Sequence, residues 1–123
     1  MKVFTGNRAA ARSNTMQEST LNTILSDILE RILAVVQPRK VVLFGSALRG
    51  EMRPNSDIDL LVIVPTGMHR RRTAQKIYRN MIGAGFAADI VVVTEDDVEL
   101  YKARHGMIIM PALADGRVLY AAA

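Results

Sequence analysis

Apolar residues at Leu21, Ile24, Leu25, Ile28, Leu29, Ile32 and Leu33 recur at steps of three and four, the spacing that lines one face of an amphipathic helix. Thr15 and Glu18 stand where a capping box would open that helix, and Pro38 ends it. The pattern then changes to extended chain. "KVVLF" reads as a short buried strand, and "DIDLLVIV" as a second, closed by Pro65 and Gly67. Ala74, Ile77, Tyr78, Met81 and Ile82 form the inner face of another helix, which the "GAG" at 83–85 terminates. "ADIVVV" is a third strand, and Thr94 to Asp97 places carboxylates at the positive end of a further helix. The remainder, through "HGMIIMPALADGRVLY", reads as a helix, a turn at Asp115 and Gly116, and a final short strand. Helices alternating with strands predict one α/β domain around a single sheet over residues 18–123, preceded by a flexible leader over 1–17.

Composition narrows the chemistry. A chain of 123 residues with no cysteine has length for one core, and thiolate catalysis, cysteine-ligated zinc and disulfide scaffolding are excluded together. The absence of cysteine also fits a reducing compartment, so the expected location is cytoplasmic. Half the residues are hydrophobic, yet runs such as "LLVIV" fall far short of the roughly 20 apolar residues that span a bilayer. The net charge of +4 owes +3 to Lys2, Arg8 and Arg12, leaving +1 from Met16 onward. Nucleic-acid binders usually concentrate positive charge on one face, so nucleic acid is an unlikely partner.

The stretch "GSALRGEMRPNSDIDL" follows the first strand. Gly45 and Gly50 have P-loop spacing, but Glu51 and Met52 stand where a P-loop needs Lys and Ser/Thr, and Glu51 would repel phosphates. No Gly-x-Gly-x-x-Gly is present after the strand either. What remains is a Gly-Ser pair, ten residues, then Asp57 and Asp59, which strand alternation points to one side. Acids at a strand start often merely end a loop. Here two like charges at the mouth of a buried run are costly unless a cation offsets them, and hard oxygen ligands suit Mg²⁺ or Mn²⁺. Asp89 opens the next strand in the same way, and if the strands are neighbours it joins the other two. Three converging carboxylates can hold two ions, the arrangement for in-line displacement at phosphorus. Gly45 lets a triphosphate approach the backbone, and a helix starting near Ser46 offers free N–H groups.

"GSALRGEMRPNSDIDLLVIV" followed by "ADIVVVT" resembles the minimal nucleotidyltransferases of the DNA polymerase beta-like superfamily, whose signature is Gly-Ser, ten residues, Asp-x-Asp and a later Asp. The resemblance runs from about Leu21 to Tyr120. It implies a mixed sheet flanked by helices, and Mg²⁺-dependent transfer of a nucleoside monophosphate, most simply AMP from ATP, to a hydroxyl with release of pyrophosphate. It assigns Gly45 and Ser46 to the triphosphate and Asp57 and Asp59 to the metals. Asp89 becomes a metal ligand and the activator of the acceptor, while Arg49 and Ser56 become phosphate contacts. Relatives often carry a basic residue at the position of Ala47 and a small one at that of Leu48, a departure that bears on nucleotide contacts. Stand-alone minimal members resemble the antitoxin of a toxin–antitoxin pair whose toxin is a helical HEPN ribonuclease, silenced by adenylylation of a tyrosine. Larger relatives build the acceptor wall from an added helical domain, so here the partner or a homo-oligomer is expected to supply it.

Other residues read more plainly. "HRRRTAQKIYR" has the composition of a solvated basic face, with phosphate or an acidic partner as its functional alternative. His69 and His105 have no partner at metal-ligand spacing. Tyr78 reads as core, and Tyr101 and Tyr120 as candidate acceptors for self-modification. Two competing functions stay open: a module that neutralises its partner by contact alone, and an enzyme modifying a small molecule such as an aminoglycoside.

Overall fold

The first apolar stripe forms helix α1, Glu18–Leu33, in a computed structural model that describes residues 17–48, 57–103 and 115–122. Leu21, Ile24, Leu25, Ile28 and Ile32 are buried, whereas Leu33, the last of the stripe, is 36% exposed at the helix end. Gln17 is the N-cap and makes no side-chain capping bond; Thr15 lies outside the described residues. Strand β1, Lys40–Phe44, runs into a three-residue 3₁₀ turn, Gly45–Ala47, closed by Leu48 N–H donating to Gly45 O at 3.1 Å. Strand β2, Ile58–Val64, helix α2, Arg70–Arg79, strand β3, Ala88–Thr94, helix α3, Glu95–Lys102, and strand β4, Arg117–Ala121, follow.

The four strands form one mixed sheet in the order β3-β2-β1-β4. Strand β1 pairs antiparallel with both β2 and β4, and β2 pairs parallel with β3. A parallel pair needs a crossover rather than a tight turn, and α2 is that crossover. β2 is central, and its near-continuous apolar run reflects burial on both faces. Its alternate residues serve two cores. Ile58, Leu60, Val62 and Val64 pack with Ile24, Ile28 and Ile32 of α1 and Ile77 of α2, while Leu61 and Ile63 pack with Val42, Val93 and Val98 of α3. The α/β expectation holds, and "KVVLF" forms a strand end to end.

Helix α2 is shorter than its apolar pattern suggested. It ends at Arg79, with Asn80 as C-cap, and Gly83 and Gly85 take left-handed φ values of 87° and 90° in the turns beyond. Ile82, expected on the inner face, is 78% exposed because it lies past the helix end. A reciprocal pair anchors that end: Asn80 Nδ2 donates to Arg31 O at 2.8 Å, and Arg31 Nη1 donates to Asn80 O at 3.0 Å. No helix among the described residues is long and apolar enough to cross a membrane.

Candidate active site

Asp59 stands one residue inside β2, in the alternate set that includes Leu61 and Ile63, and it is half-buried. Asp89 stands one residue inside β3, and the parallel register pairs it directly with Asp59. Residues paired across a parallel ladder project to the same face, so the two carboxylates are lateral neighbours. Asp57 immediately precedes the strand and is exposed. The backbone pairing already operates here, since Ile58 N–H donates to Ala87 O at 3.0 Å. The three acids therefore belong to the end of the sheet where β2 and β3 begin, opposite the end from which α3 departs.

Gly45 is fitted to this place. Asp59 pairs with Phe44 at the end of β1, and the next residue, Gly45, adopts φ +80°. A Cβ there would fall on Oδ2 of Asp59 and 3.0 Å from its carboxylate carbon. Glycine is thus required twice, by the left-handed backbone and by the carboxylate against it. Ser46 belongs to the 3₁₀ turn that begins at Gly45, rather than to a longer helix among the described residues. Arg49 and Ser56 lie outside the described residues. Ala47 is 4% exposed and packs in the main core, with Leu48 against it. A longer, basic side chain has no room at Ala47 in this packing.

The donor set is carboxylate oxygen throughout, and the neighbouring placement of Asp59 and Asp89 suits a hard divalent cation. Among the described residues no three ligating side chains form a ready-made cage.

Tyr78, expected in the core, is 42% exposed. Its ring leaves the buried stripe of α2, represented by Thr73 and Ile77, and its hydroxyl accepts from Ile90 N–H at 2.7 Å. The same oxygen lies 3.3 Å from Ile90 O and 3.5 Å from Asp89 Oδ1. Periodicity weighs the ring and not the hydroxyl, so the pattern concealed this contact. Its one signal was a tyrosine, an aromatic with a polar tip, on the helix leading into an acid-bearing strand.

The other residues weighed from the sequence lie elsewhere. Tyr120 pairs with Val41, near the opposite end of β1, and Tyr101 is half-buried against the core under α3. His69 caps α2, its Nδ1 accepting from Arg72 N–H at 3.2 Å. An open groove of about 810 Å³ is lined by Gly67, Met68, His69, Arg70, Arg71 and Val92. It lies at the start of α2, whereas the end of that helix approaches Asp89.

Comparison with known proteins agrees with this architecture. No curated protein gives a significant match. A crystal structure of a Sulfolobus solfataricus protein assigned as a nucleotidyltransferase superposes with a TM-score of 0.58 at 19% identity, covering 94% of this chain and 90% of that one. That likeness shows the fold. A toxin–antitoxin crystal structure with AMP-PNP gives a TM-score of 0.46 at 20% identity over 87% of this chain and 75% of that one, too loose to support an argument. The profile of the family described as "Nucleotidyltransferase domain" matches residues 23–110, more than two-thirds of the sequence, from within α1 to beyond the end of α3, and the chain belongs to that family of nucleotidyl-transferring enzymes.

Proposed function

We propose that Asp57, Asp59 and Asp89 are the catalytic carboxylates of a Mg²⁺-dependent transfer of AMP from ATP to a hydroxyl. The observation that carries this reading is the register pairing of Asp59 with Asp89, with Gly45 closed against Asp59. The three acids would hold two divalent ions, Mg²⁺ or Mn²⁺, which when bound neutralise the triphosphate and lower the barrier to in-line attack at its α-phosphorus. Gly45 admits the phosphates close to the backbone, and Ser46, Arg49 and Ser56 contact them. The acceptor oxygen bonds to the α-phosphorus as the bond to the bridging oxygen of the β-phosphate breaks. Asp89 takes the hydroxyl proton, and pyrophosphate leaves.

The acceptor in this reading is a tyrosine of a HEPN-type toxin partner, which makes the chain an antitoxin. The support is the sequence resemblance to stand-alone minimal nucleotidyltransferases. The test incubates the protein with ATP labelled at the α-phosphate, Mg²⁺ and the product of the adjacent gene. Label should appear on that product, and Asp57→Asn or Asp59→Asn should abolish it with the fold intact by circular dichroism. Silencing of the partner by the doubly substituted chain would replace enzymatic with contact-only neutralisation. Label on a small alcohol but never on a protein would replace the acceptor class.

A further inference from the structure

We infer that Tyr78 is a positioning residue of the active site, its hydroxyl holding Oδ1 of Asp89 so that Oδ2 is left for the metal and the acceptor proton. The inference rests on the reading of Asp89 given above. Strand β3 is at the edge of the sheet, and an edge strand presents backbone groups with no neighbouring strand to pair them. At Ile90 the Tyr78 hydroxyl fills that role, accepting from Ile90 N–H at 2.7 Å. This bond fixes the oxygen beside Asp89, and Ile77, the preceding residue of α2, is fully buried in the main core. The one proton of the hydroxyl then has two acceptors, Ile90 O at 3.3 Å and Asp89 Oδ1 at 3.5 Å.

An ionised carboxylate is the stronger acceptor of the two. Among the described residues the Tyr78 hydroxyl is the sole side-chain partner of Asp89. An exposed carboxylate without such a contact would sample several rotamers, and each would have to be suppressed before an ion could bind. Partners of this kind orient metal-ligating carboxylates, and their removal typically weakens metal affinity by 10- to 100-fold.

The test measures Mn²⁺ affinity in the presence of a non-hydrolysable ATP analogue, alongside kcat, KM for ATP and the melting temperature. Tyr78→Phe should weaken Mn²⁺ by about tenfold and lower kcat, with KM for ATP little changed. In an Asp89→Asn background the same substitution should add nothing to the Mn²⁺ defect, since the two act as one unit. A lower melting temperature with Mn²⁺ affinity and kcat unchanged would make Tyr78 a cap of the sheet edge and overturn the inference while leaving the catalytic reading standing. An additive effect in the Asp89→Asn background would overturn it equally. A wild-type protein that takes up neither Mn²⁺ nor the analogue would bring down the catalytic reading, and this inference with it.

Discussion

Gly45 ties backbone conformation to chemistry more tightly than any other residue of the candidate site. A non-glycine residue in its left-handed conformation costs roughly 1–2 kcal/mol, and the added Cβ would also meet the Asp59 carboxylate. Gly45→Ala is therefore expected to cost at least about 1 kcal/mol in urea unfolding and to remove nucleotide transfer as well, because Asp59 must swing away to make room. Full activity in the Gly45→Ala protein would show that Asp59 is not used in the position the fold gives it. The positions of Asp59 and Asp89 near the starts of their strands were legible from the sequence, whereas the fit of Gly45 against Asp59 was not, because it depends on the pairing of β1 with β2. Tyr78 was not. Its helical position predicted an inward ring, while its hydroxyl is engaged by an edge strand that only the strand order reveals.

Helix ends show the same division between local and distant information. The start of α3 was readable because its signals are contiguous. Thr94 Oγ1 accepts from Asp97 N–H at 3.1 Å and Asp97 Oδ2 accepts from Thr94 N–H at 3.0 Å, a complete capping box. Asp97 Oδ2 also receives Arg70 Nη1 at 3.1 Å, linking the start of α2 to that of α3. The two contacts differ in worth. Thr94→Ala is expected to cost about 1 kcal/mol, whereas Arg70, more than half exposed, forms an ion pair of the kind that contributes little. Arg70→Ala should shift stability by less than about 1 kcal/mol, and chemical denaturation of the two variants side by side checks the order. The end of α2 was misjudged because Met81 and Ile82 continue the apolar period past the point where Asn80 turns the chain and bonds to α1.

At the scale of the whole molecule, the decisive fact is the parallel pairing of β2 with β3, which no local pattern specifies. The sequence placed an acid at the head of each strand, but only the register makes Asp59 and Asp89 neighbours. The pairing exists only in the folded chain, so a divalent ion and a triphosphate that bind there together should stabilise the folded state. A ligand that binds only the native state at a hundred times its Kd contributes about 2.7 kcal/mol. For a domain of this size that corresponds to a rise in melting temperature of roughly 8 °C. The triphosphate without the ion should produce little of this rise, because the carboxylates then repel the phosphates. Asp59→Asn should reduce the joint effect, since it removes one of the carboxylates that would hold the ion. Equal shifts with and without the ion would mean that the triphosphate is held elsewhere, and the basic groove at the start of α2, lined by Arg70 and Arg71, would be the place to look. Abolition of such an ion-independent shift by Arg71→Ala would locate the nucleotide there and separate its binding from the three aspartates.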